Sequence, residues 1–76
     1  MNQPDITTQR NIIDAALKSI EVEIYSFRLS GEALKTIGLV EKATEVAEKL
    51  AQAMKLHAFY SAKLAELSTS PPDAAV

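Results

Sequence analysis

The most constraining feature of this sequence is an apolar stripe whose members recur in alternating steps of four and three residues. It comprises Ile13, Leu17, Ile20, Ile24, Phe27, Gly31 and Leu34. Such spacing places side chains on one face of a helix, whereas a strand presents alternate residues on each face. The pattern therefore predicts a helix from about residue 7, with Asp5, Thr7 or Thr8 as its N-cap. We call the apolar set from Ile13 to Leu34 the inner stripe.

A second stripe with similar spacing follows in the other half of the chain. Its members are Ala43, Ala47, Leu50, Met54, His57, Ser61 and Leu64, flanked on one side by Val46, Ala53, Tyr60 and Leu67. This face is broad and rich in alanine, and it predicts a second helix that ends before Pro71 and Pro72. The expected organisation is a frayed lead at 1–6, a helical domain at 7–67 and a disordered, proline-containing tail at 68–76.

The segment Leu34-Lys35-Thr36-Ile37-Gly38-Leu39 is typical of a helix C-terminus, because Gly38 is free to adopt a left-handed conformation there. A turn at Gly38 gives matched arms, about Thr7 to Ile37 and Val40 to Leu67, and pairs Ile20 with His57 and Phe27 with Leu50. Two alternatives remain open: a break at Ser30-Gly31, and a short separate helix near 31–37.

The expected fold is therefore all-α, an antiparallel helical hairpin of two long helices. Its predicted intrachain core consists of Ile13, Leu17, Ile20, Ile24, Phe27, Leu34, Leu50, Met54, His57 and Leu64.

The first helix carries a further line of small and medium apolar residues on the face away from the inner stripe. We call it the outer stripe: Ile12, Ala15, Ser19, Val22, Ser26, Leu29 and Ala33. Two helices cannot cover both stripes, and burying a residue such as Leu29 contributes about 1.5–3 kcal/mol. A chain of 76 residues with no cysteine has few other means of stabilisation. Self-association into a four-helix bundle or larger oligomer is therefore expected, through Ile12, Ala15, Val22, Leu29 and Ala33.

Two large apolar residues of the second helix, Leu56 and Phe59, fall among lysine, glutamine and glutamate. An aromatic residue and a leucine in a polar field have the composition of a small binding spot. We expect a contact with a larger protein there, with Tyr25 and Tyr60 at the edge of the same surface.

Residues that could carry chemistry are sparse. His57 is the single histidine, no cysteine is present, and the acidic residues do not form the Glu-x-x-His pairs of carboxylate-bridged metal sites. The sequence predicts no catalytic residues, no metal site and no cofactor, and the expected protein is not an enzyme.

The charge balance limits the classes of partner. The net charge is −2, and Arg28, Lys35, Lys42 and Lys49 recur every seven residues but are divided by the turn at Gly38. Nucleic acid is therefore not an expected partner, no segment is apolar enough to span a membrane, and a cytoplasmic location is expected.

The expected function is a non-enzymatic interaction module that self-associates and binds a larger protein as adaptor, cochaperone or inhibitor. Two alternatives are an oligomer that holds a small molecule or nucleotide between subunits, and a regulator that binds RNA hairpins.

Overall fold

Two long antiparallel helices make up the fold. In a computed structural model that describes residues 3–69, α1 runs over Ile6–Thr36 and α2 over Val40–Thr69, and these residues contain no strand. The all-α hairpin predicted from the sequence is confirmed. The second helix continues past the predicted end at residue 67 to Thr69, while the remainder of the predicted tail, and residues 1–2 of the predicted lead, lie outside the described residues.

Helix α1 begins at an aspartate cap. Asp5 has extended backbone angles, and its Oδ1 accepts a 2.8 Å hydrogen bond from the backbone N–H of Thr8. This satisfies one of the donors that a helix N-terminus leaves free. Hydrogen bonding with Thr8, through its side chain first and its backbone second, lowers the pKa of the Asp5 carboxyl from its ordinary value of 3.8. Of the three predicted caps, Asp5 is the one used.

The turn between the helices is a Schellman motif centred on Gly38. The N–H of Leu39 donates to the carbonyl of Leu34 at 2.8 Å, and the N–H of Gly38 donates to that of Lys35 at 3.1 Å. Gly38 has φ of 87°, in the left-handed region that favours glycine. The Leu39 carbonyl then accepts from Ala43, so that α2 begins at once. The predicted turn is confirmed.

Gly31 lies inside α1 and does not interrupt it. The helix passes through residues 31–36 without a break, so the alternatives of a break at Ser30-Gly31 and of a short separate helix near 31–37 are wrong. A Cβ built on Gly31 would lie 4.0 Å from Cγ1 of Val46. This glycine faces α2, and the Schellman hydrogen bonds at Gly38 provide the helix end that Gly31 does not.

The core is narrow and runs between the two helices. Its buried members are Leu17 and Ile20 on α1, and Ala43 and Ala53 on α2. The other predicted core residues apart from Met54 are half-buried: Ile13, Ile24, Phe27, Leu34, Leu50, His57 and Leu64. The approach of Gly31 to Val46, and a contact between Glu21 and His57, agree with the predicted register.

The prediction of Met54 as a core residue is wrong. Met54 is 47% exposed, whereas the neighbouring Ala53 is 3% exposed. The broad face of α2 offers three rows of side chains, but contact with one helix covers only about two. Of the two rows that flank the central row, the one that α1 covers holds Val46, Ala53, Tyr60 and Leu67. Since these residues are on balance larger and more apolar than Ala47, Met54 and Ser61, this choice buries more apolar surface.

Candidate interaction surfaces

The outer stripe of α1 faces away from α2 and is open to solvent. Val22 is 69% exposed, Ile12 56% and Leu29 49%, and Ala15 and Ala33 are exposed as well. The described chain contains nothing that packs on these side chains, since α2 lies on the opposite side of α1. The five residues predicted to mediate self-association therefore share one continuous exposed face.

Charged residues are excluded from the outer stripe over its whole length, and Thr36 continues it with the same spacing. The row along one edge of the stripe holds Lys18, Tyr25 and Glu32, which are seven residues apart and all exposed. Charged side chains that have a close partner within residues 3–69 include Lys63 with Glu66, and Glu21 beside His57. Lys18 and Glu32 take part in neither, so both remain available to a partner.

A second surface lies on α2 around Phe59, which is 53% exposed. Its ring meets that of Tyr60 edge-on, with centroids 5.3 Å apart, and the Nζ of Lys63 lies 5.7 Å from the ring centre. Leu56, 49% exposed, also borders a shallow groove that Glu23, Phe27, Lys49, Gln52 and Ala53 line. Leu56, Phe59 and Lys63 form what we call the α2 patch, with half-buried Tyr60 at its edge.

Tyr25 does not belong to the α2 patch. It lies on the side of α1 that carries Glu21, Arg28 and Glu32, because residues three, four and seven apart are neighbours on a helix. Arg28 and Glu32 line a different groove, on the other side of the Phe27–Leu50 layer. The predicted single surface containing both tyrosines is therefore wrong: Tyr25 borders the outer stripe instead.

The periodic cations are separated by the fold. Arg28 and Lys35 line the groove that also contains Ala47, whereas Lys49 lines the groove on the opposite side, with Glu23 and Leu56. A cationic row with a regular seven-residue spacing in the sequence is thus split between two faces of the hairpin, and each face also carries glutamate.

His57 has polar partners that the sequence did not reveal. Its Nε2 lies 3.1 Å from Oε2 of Glu21 on α1, and Oγ of Ser61 lies 3.5 Å from its Nδ1. A serine that contacts a histidine, which in turn contacts a carboxylate, resembles the arrangement that activates the nucleophile in some enzymes. The surroundings do not suit one, however, because backbone N–H groups around Ser61 are engaged within α2 and no groove described above includes these three residues.

This cluster instead joins the two helices, and such an exposed pair contributes about 0–1 kcal/mol. The i to i+4 spacing of His57 and Ser61, together with the hairpin register that sets Glu21 beside His57, was the signal that could have predicted it.

Residues 3–69 contain no group of three His, Cys, Asp or Glu side chains arranged to hold a metal ion. Neither helix, within the part of the chain described, is both long and apolar enough to cross a membrane. Comparison with protein-family models, with curated proteins and with solved structures finds no significant match.

Proposed function

We propose that this protein is a non-enzymatic helical-hairpin interaction module, which self-associates through the outer stripe and binds a larger protein through the α2 patch. In that role it would act as an adaptor, a cochaperone or an inhibitor. We also propose a cytoplasmic location, with which a chain that contains no cysteine is compatible.

The observation that supports self-association is the imbalance between buried and exposed apolar side chains. The residues buried within the hairpin are Leu17, Ile20, Ala43 and Ala53, and two of these are alanines. The large residues left exposed on the outer stripe outnumber the large residues that are buried. A second subunit over this stripe would add the apolar burial that a hairpin of this size otherwise lacks.

The test of self-association is to change Leu29→Glu and to measure mass by light scattering. We expect the variant to have the mass of one chain at concentrations where the unchanged protein is larger, because a buried carboxylate in the interface is strongly unfavourable. Ala62→Glu is the matched control, since it adds the same charge to an exposed position of α2. If both variants and the unchanged protein have the same mass, the outer stripe is not an interface.

The α2 patch supports binding of a second protein because it holds an exposed aromatic ring with a cation over it. Aromatic side chains are frequent at the centres of protein interfaces, whereas a lysine such as Lys63 suits the polar rim. Phe59→Ser should abolish binding of a purified partner and leave the mass of the protein alone unchanged. If the two surfaces act independently, Leu29→Glu should abolish self-association and leave binding of the partner unchanged. A partner that binds the Phe59→Ser variant with undiminished affinity would contradict the assignment of the α2 patch.

A further inference from the structure

We propose that two copies pair through their α1 helices in antiparallel orientation, with the two outer stripes in contact and Lys18 of each copy opposite Glu32 of the other. This inference rests on the proposed function, because it specifies how the self-association surface is used. In this arrangement the two-fold axis crosses α1 at the level of Ile24, and Tyr25 lies beside that axis.

The order of side chains along the outer stripe fits this orientation. When the stripe runs antiparallel to its own copy over Ile12 to Thr36, a larger residue meets a smaller one in every layer except that of Ala15 with Ala33. The layers are Ile12 with Thr36, Ala15 with Ala33, Ser19 with Leu29, and Val22 with Ser26. All layers except the narrower one of Ala15 with Ala33 then have a similar total size, which favours a nearly constant separation of the helices over about 36 Å.

The charged residues at the edge of the stripe select the same register. In an antiparallel pair, residues of one edge row face the same row of the other copy. Lys18 then faces Glu32 of the partner, twice by symmetry, and Tyr25 faces its own counterpart. Moving the register by seven residues either way places Tyr25 opposite Lys18 or Glu32 and leaves one end of each stripe uncovered.

Parallel pairing fits less well. In a parallel pair, Ile12, Val22 and Leu29 would each meet the same residue of the other copy. Ala15 and Ser19 would do so too, so that some layers would be wide and others narrow. Antiparallel pairing has one unfavourable feature, since Glu23 faces Glu23 of the partner across the other edge. That glutamate is exposed, where repulsion between charges is weak.

Helix α2 also has an uncharged row beside its covered face, which offers a competing surface. It consists of Val40, Thr44, Ala47, Ala51, Met54, Ala58, Ser61 and Ala65. Alanine dominates this row, whereas the outer stripe of α1 exposes isoleucine, valine and leucine and therefore has more apolar area to bury. Glu48 and Lys55, at the edge of the α2 row, provide the matched charges for a control.

The test is a charge swap, followed by sedimentation equilibrium of the full chain. Lys18→Glu and Glu32→Lys should each weaken self-association, on the order of tenfold, because each creates two like-charged contacts in the pair. The double variant Lys18→Glu/Glu32→Lys should restore the original affinity. Lys55→Glu and Glu48→Lys repeat the same changes in net charge on α2 and should leave the affinity near that of the unchanged chain. Circular dichroism of each variant checks that the helices persist.

Restoration by the double variant supports the antiparallel pairing. If the unchanged chain associates but Lys18→Glu and Glu32→Lys have no effect, or the double variant is no better than the singles, the antiparallel pairing is overturned and self-association stands. If only the α2 variants Lys55→Glu and Glu48→Lys weaken self-association, the interface lies on α2. That result would also overturn the antiparallel pairing of the α1 helices. A chain that is monomeric at every concentration overturns the proposed function itself.

Discussion

The inner and outer stripes of α1 have the same spacing on the same helix, yet they differ in what covers them. Ile20, on the inner stripe, is 7% exposed, whereas Val22, two positions along the chain, is 69% exposed. The inner stripe consists of bulky residues and one glycine, and the outer stripe alternates large residues with alanine and serine. Spacing therefore identifies two apolar faces of one helix, and the fold covers only the inner one.

The largest expected effect comes from matched truncations on the two stripes. Ile20→Ala should lower the free energy of unfolding by about 2–5 kcal/mol, because it leaves a cavity in the narrow core. Val22→Ala should weaken self-association and leave the helical signal of the monomer intact, since alanine favours the helix. Both wild-type residues are β-branched, so the backbone effect is similar in the two variants. Chemical denaturation at low protein concentration measures the difference, and equal losses of stability would show that the stripes are not distinct.

A smaller effect of opposite sign is expected at Gly31, the one position of the inner stripe without a side chain. Gly31→Ala should stabilise the fold by about 1 kcal/mol, because alanine is the better helix former. Its Cβ would meet Val46 at 4.0 Å, an ordinary van der Waals distance. Thermal unfolding should occur at a higher temperature with no change in mass, since the residue faces α2. A lower unfolding temperature would mean that the helices need to approach more closely here.

The smallest effect concerns the first turn of α1, ahead of both stripes. The pKa of the Asp5 carboxyl is lower in the folded chain than its ordinary value of 3.8. The carboxylate therefore contributes stability that is fully present above pH 3.8 and is lost as the pH falls through the pKa of the folded chain. The Thr8 amide should titrate, by nuclear magnetic resonance, with a midpoint below 3.8. Asp5→Asn retains a capping oxygen and should remove this titration. A Thr8 midpoint at or above 3.8 would contradict the observed cap.

The sequence predicted the helices and the turn well, because each depends on local chemistry. Gly38 is the clearest example, since a left-handed residue after Leu34 and Lys35 completes a hydrogen-bonding motif confined to a few neighbouring residues. Most of the inner stripe was likewise predictable, as its bulky residues occupy a single helical face.

Details that depend on the rotation of one helix against the other were less predictable. On α2, apolar residues span more of the circumference than one helix can cover, and the sequence favoured the row of Met54 over that of Ala53. Tyr25 was assigned to the surface of Phe59, whereas it borders the outer stripe of α1. The contact between Glu21 and His57 required the register of the whole hairpin. The positions of Met54 and Tyr25 became clear only once the two helices were packed together, whereas the predicted register already brought Glu21 near His57.

The most direct test of the central proposal is the mass of the unchanged chain, measured by sedimentation equilibrium over a wide range of concentration. If a second copy covers the outer stripe, the mass should rise from that of one 8.2 kDa chain to twice that value as the concentration increases. A mass of 8.2 kDa at every concentration would contradict the proposal and would show that the outer stripe is not covered by another copy of this chain.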